Sequence, residues 1–107
     1  MPRSISPLEA ERSMEIATLI DVRKEPARLE SGLTIPGAQR RTHDTALEWW
    51  GQFTGKSVIL FCVHGHEVSQ NACETLARNG VDARYLEGGF EAWRSAGLAV
   101  VSLERGQ

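Results

Sequence analysis

The chain has 107 residues, 41% of them hydrophobic and 24% charged, and a net charge of -2. These values suit one soluble globular domain over residues 1–107 and leave little room for a second. With no basic stripe for nucleic acid, no membrane-length apolar segment, no apolar leader and only two cysteines, the expected location is a reducing cytoplasm.

Ser6-Pro7-Leu8-Glu9 predicts a helix start, with Ser6 as N-cap and Glu9 in a capping box, and the helix should run to about Met14. Ala17 to Val22 is a short, near-continuous apolar run, which predicts a buried strand. Arg23 to Thr34 mixes charges with Pro26 and Gly32 and reads as an irregular excursion with room for one helical turn. Ile35-Pro36-Gly37-Ala38 signals a turn into a short extended piece. Thr42 or Asp44 can cap a helix through Trp50, ended by Gly51, with one of Trp49 and Trp50 in the core. Val58 to Cys62 is a second strand. Val68, Ala72, Cys73, Leu76 and Ala77 predict a helix to Asn79, stopped by Gly80. Val81 to Leu86 is a third strand, and Gly89 to Ala96 a last helix. The alternation predicts an α/β fold: a central parallel β-sheet flanked by helices on both faces. Sites in such sheets form beyond the carboxyl ends of strands, where Cys62 and Asp21-Val22-Arg23 both fall.

Cys62 leads into the tight segment Val63-His64-Gly65-His66-Glu67, and a helix follows from Val68. Loop amides converging on the sulfur and a helix start both favour the thiolate, which is the reactive form. A small apolar cysteine ending a core strand fits the same local residues. Cys62, His64, His66 and Glu67 are metal-ligand types, but Gly65 and the coming helix turn the chain away from a ligand face, so no metal is expected. A cysteine phosphatase or arsenate reductase needs an arginine six residues after the nucleophile to clamp a tetrahedral dianion, and that position is Val68. Cys73, eleven residues on, is expected to pack in the core.

Three further motifs accompany the cysteine: Leu19-Ile20-Asp21-Val22-Arg23, Ile35-Pro36-Gly37-Ala38, and Tyr85-Leu86-Glu87-Gly88-Gly89-Phe90-Glu91-Ala92-Trp93. In this order, with the cysteine between the second and third, the chain resembles a single-domain rhodanese over about residues 5 to 100. The resemblance implies a sulfurtransferase in which Cys62 takes sulfane sulfur from a small donor such as thiosulfate or a persulfide. The resulting persulfide would pass sulfur to a thiol, cyanide or an acceptor protein, with no organic cofactor. Gly65 falls on the family's loop glycine, and Val63 to Val68 on the loop whose amides surround the sulfur. The alternative is a non-catalytic rhodanese module that binds a partner protein or an anion through the same loop.

The chain departs from the family pattern in three places. Glu67 stands where many members have Arg or Lys, Thr34 where a His often precedes Ile-Pro-Gly, and Val68 where a polar residue is common, with Ser69 behind it. A Glu67 carboxylate ~7 Å from the sulfur would oppose the thiolate by roughly 2.4 kcal/mol at an effective dielectric of ~20, so Glu67 is expected to point outward. His64 and His66 are the loop's own candidates for added positive charge. Arg40, Arg41 and His43 are rim candidates to replace the missing cation, whereas Asp21 and Arg23 are expected to hold the rim together. Gly88, Gly89 and Trp93 are expected to be architectural.

Overall fold

Short apolar runs form the central strands of the computed structural model, Ala17–Asp21 and Ser57–Phe61; the structure describes residues 2–103. In chain order the elements are β1 (Arg3–Ile5), α1 (Pro7–Arg12), β2 (Ala17–Asp21), α2 (Glu25–Ser31), β3 (Leu33–Thr34) and β4 (Gln39–Arg40). There follow α3 (Ala46–Trp49), β5 (Ser57–Phe61), α4 (Glu67–Arg78), β6 (Asp82–Leu86), α5 (Gly89–Ser95) and β7 (Val101–Ser102). Five strands form a sheet in the order β1-β6-β5-β2-β4, with every pairing parallel. β3 and β7 form a small antiparallel pair. Among the described residues no helix is long and apolar enough to cross a membrane.

The central strand β5 explains why its sequence is apolar without alternation. Val58 and Leu60 join Trp49, Phe53, Ala72, Cys73 and Leu76 in one core cluster. Ile59 and Phe61 join Ala10, Phe90 and Trp93 in a second. Both faces of the strand are covered, as a parallel sheet requires. Cys62 continues the first cluster, so its side chain leaves the sheet on the α4 side.

Local signals predicted most elements, and where they did not the reason is physical. Ser6 caps α1 as expected, accepting from the Glu9 amide at 3.2 Å, although the helix ends at Arg12. The Arg23–Thr34 segment, expected to be irregular, contains the two-turn helix α2, with Pro26 in its first turn and Gly32 closing it at φ 69°. Its buried residue is Arg28, so the helix carries no apolar stripe to read. Gly51 does not end the helical stretch after Thr42. A 3-10 turn precedes α3 and another continues over Trp50–Phe53, burying Phe53. Trp49 is the core tryptophan, its Nε1 donating to Thr42 O at 2.9 Å, while Trp50 is half-buried. The edge strand β1 carries no apolar run of its own and pairs through its backbone.

A charged cluster fastens this edge. The Asp82 carboxylate accepts from Ser57 Oγ at 2.6 Å and is paired with Arg3 of β1. The Ser57 and Arg3 hydrogen bonds hold the Asp82 carboxyl below its usual value of 3.8. A depressed carboxyl stabilises the fold fully above the unfolded value and loses that contribution as pH falls through the folded one. The Tm advantage over Asp82→Asn should therefore be constant near neutrality and disappear below about pH 4, as thermal scans across pH would reveal. Both ion partners are more than half exposed, so the effect should be small.

Candidate active site

Strand β5 delivers Cys62 to the carboxyl rim of the sheet, where it is 4% exposed. Its thiol donates to Ser69 Oγ at 3.1 Å, and the Ser69 hydroxyl lies 3.5 Å from His66 O, to which it can donate. Ser69 is fully buried and begins the inward stripe of α4, which continues through Ala72, Cys73 and Leu76. That spacing identifies Ser69 from sequence more faithfully than the stripe beginning at Val68, because Val68 is half-buried and Ala77 is exposed.

The loop after Cys62 is held through its carbonyls. Cys62 O accepts from the Phe90 amide at 2.8 Å, Val63 O from the Glu91 amide at 3.0 Å, and Gly65 O from Gln70 Nε2 at 2.9 Å. Among the described residues nothing accepts from the amides of residues 63 to 69. A loop whose carbonyls are tied off and whose N–H groups are free is a natural anion cradle.

Two glycines make this arrangement possible. Gly65 (φ 75°) lies so close to the β6–α5 turn that a Cβ there would come within 2.7 Å of Leu86 O and 2.8 Å of Gly88 N. From the other side, a Cβ on Gly89 (φ 64°) would meet Cys62 O at 2.5 Å and Gly65 N at 2.6 Å. The Gly88-Gly89 pair therefore supplies more than a tight turn, because Gly89 forms one wall of the cysteine loop.

Asp21 and Arg23 build a buried network behind the rim. Arg23 donates to both Asp21 carboxylate oxygens, at 3.0 and 2.7 Å, and its own amide donates to Oδ1 at 3.1 Å. Thr34 Oγ1 donates to Oδ2 at 3.2 Å, and Arg28 Nε lies 3.5 Å from the same oxygen. The Arg23 guanidinium also donates to Leu33 O at 2.7 Å and sits 4.4 Å from the Phe90 ring centroid. Thr34 thus serves the Asp21 network.

A pocket of about 210 Å³ opens beside the thiol, with Cys62, Val63, His64, His66, Glu67 and Val68 in its wall. Glu67 is exposed but still lines the pocket. His64 and His66 are exposed too, with ring centroids 6.0 Å apart. The lining also includes a segment that sequence reasoning passed over, Lys24 and Ala27. The signal for Lys24 was its place directly after the strand-end Asp21-Val22-Arg23.

Arg40, Arg41 and His43 are not brought into this wall. Arg40 is engaged with Asp21 O and Glu25, whereas Arg41 binds Gln52 and lies 5.4 Å from the Phe53 ring centroid. His43 starts the 3-10 turn before α3. Cys73 is buried, and desolvation pushes its thiol up to about 11, which keeps it protonated near neutral pH. Among the described residues no three metal-ligand side chains gather as an ion site.

Comparison with known proteins gives the same picture. The profile of the Rhodanese-like domain family matches residues 6–96. A rhodanese-related protein from Thermoplasma volcanium is 26% identical, covering 92% of this chain and 97% of its own, with a TM-score of 0.82. A rhodanese-like domain protein from Staphylococcus aureus is 28% identical over 85% of this chain and 90% of its own, with a TM-score of 0.72. A protein of unknown function from Rhodopseudomonas palustris, described as a possible tyrosine phosphatase, shares the fold at 23% identity, covering 94% of this chain and 85% of its own (TM-score 0.79). With the profile spanning most of the chain and the cysteine loop in its place at the end of the central strand, the chain belongs to the rhodanese-like domain family.

Proposed function

We propose that the protein is a sulfurtransferase that carries sulfane sulfur as a persulfide on Cys62. The observation that carries this reading is the pairing of a pocket-lining thiol with the amides of its loop and of the first residues of α4, 63 to 69, which among the described residues have no acceptor. In the first half-reaction the Cys62 thiolate attacks the donor's outer sulfur. A bond forms between the two sulfurs, the donor's own sulfur–sulfur bond breaks, and the first product leaves with the electron pair. An acceptor thiolate or cyanide then attacks the outer sulfur and regenerates the Cys62 thiolate. Free amides stabilise the anion in both halves, and the Ser69 hydroxyl can turn to donate to the thiolate once the thiol proton is gone. A phosphatase reading gains nothing from the loop, because Val68 stands where an arginine clamp is needed.

Glu67 makes this pocket a poor one for a dianion. In steady-state assays a small persulfide donor should exceed thiosulfate in kcat/KM by about tenfold or more, a difference of about 1.4 kcal/mol. A clear preference for thiosulfate would contradict the reading of the loop. The physiological acceptor would be a small thiol or an acceptor protein, in a reducing cytoplasm that keeps Cys62 and Cys73 as free thiols.

A further inference from the structure

The pocket beside Cys62 carries fixed charges of both signs. Lys24, just before α2, and Glu67, at the first residue of α4, both line it. Among the described residues neither is in an ion pair, whereas Arg23, Arg28 and Arg40 on the same rim all are. Two exposed, unpaired charges of opposite sign therefore share the pocket with the thiol. The rest of the lining combines the apolar Ala27, Val63 and Val68 with the imidazoles of His64 and His66. The volume of about 210 Å³ is below the range of roughly 300–1,000 Å³ that encloses drug-sized ligands.

Each class of sulfur donor meets these charges differently. Thiosulfate, a dianion, can pair with Lys24 but faces the Glu67 carboxylate. A peptide persulfide is too large to be enclosed. A zwitterionic amino-acid persulfide offers a carboxylate, an ammonium and a short apolar stem, one group for each part of the wall. We propose that the pocket selects an α-amino-acid persulfide, with Lys24 receiving its carboxylate and Glu67 its ammonium. This inference depends on the sulfurtransferase reading. In the step it serves, the Cys62 thiolate takes the outer sulfur of R–S–SH, the sulfur–sulfur bond of the donor breaks, and the amino-acid thiolate leaves with the electron pair. The proton stays on the transferred sulfur, and no external oxidant or reductant is needed.

The test is the rate of Cys62 loading, read by intact mass at one fixed pH, with three donors. Cysteine persulfide is the zwitterion, 3-mercaptopropionate persulfide lacks the ammonium, and cysteamine persulfide lacks the carboxylate. Only ratios between donors are compared, so intrinsic reactivity and small changes in folded fraction cancel. Glu67→Gln should lower the cysteine-to-mercaptopropionate ratio about fivefold, the upper end for an exposed charge pair. Lys24→Gln should lower the cysteine-to-cysteamine ratio by a similar factor while leaving the other ratio in place. Loading by all three donors with ratios that neither variant changes would overturn this inference alone. Failure of every donor to load Cys62 would overturn the sulfurtransferase reading and this one with it.

Discussion

Gly89→Ala is expected to destabilise the protein by roughly 3–5 kcal/mol and to dismantle the cysteine loop. A left-handed backbone costs a non-glycine residue about 1–2 kcal/mol. The new Cβ would also lie 2.5 Å from Cys62 O, 2.6 Å from Gly65 N and 2.6 Å from Val63 C, all of them backbone atoms that cannot rotate aside. Helix α5 must then withdraw, and the Phe90 and Glu91 amides lose the Cys62 and Val63 carbonyls. Each lost hydrogen bond adds about 1 kcal/mol. Gly97→Ala is the matched control, because Gly97 has a similar φ of 77° but a Cβ there would meet nothing within 4 Å. It should cost only the backbone term. Denaturant titration of both variants separates the two contributions, and equal losses would show that contact with the loop adds nothing.

Asp21→Asn should cost a similar amount for a different reason. The Asp21 carboxylate faces two guanidinium groups, those of Arg23 and Arg28, whose side chains are 1% and 7% exposed. Removing one partner of a buried ion pair typically costs about 3–5 kcal/mol, because the other charge stays buried without compensation. For a domain of this size the Tm should fall by well over ~10 °C. Arg28 Nε already has no hydrogen-bond partner beyond its 3.5 Å approach to Asp21, so it would be left most exposed to this loss. Asp21→Asn combined with Arg28→Met should recover part of the stability, since Arg28 would otherwise keep only the half-exposed Glu25, 3.4 Å from its Nη1, as a partner. A single-variant loss below about 1 kcal/mol would mean that solvent reaches the network and screens it.

The elements that were legible from sequence share a property: their burial is written in apolar spacing. β2 and β5 are short apolar runs because helices cover both faces of the sheet, and β6 buries Ala83 and Leu86 among its charged positions. The strand-loop-helix layout around Cys62 follows from the same pattern together with Gly65. What escaped was held by polar or backbone contacts. Helix α2 buries Arg28 rather than a leucine, so its periodicity is invisible even though Pro26 and Gly32 punctuate it as a helix should be. Lys24 lines the pocket from its place directly after the strand-end Asp21-Val22-Arg23, which marks the rim but does not report the partner loop it meets there. Gly89 reads as a turn glycine, and its contact with the Cys62 loop joins residues far apart in sequence. Arg40 and Arg41 reach the rim but spend their donors on Asp21 O, Glu25 and Gln52, a choice of partner that spacing does not encode.

The central claim is that Cys62 carries sulfur, and intact mass after incubation with thiosulfate or a small persulfide tests it most directly. Wild type should gain the mass of one sulfur atom, lose it on cyanide treatment, and Cys62→Ser should gain nothing. No gain with either donor, from a protein that remains folded, would contradict the account and leave a rhodanese-like module that binds through its loop without transferring sulfur.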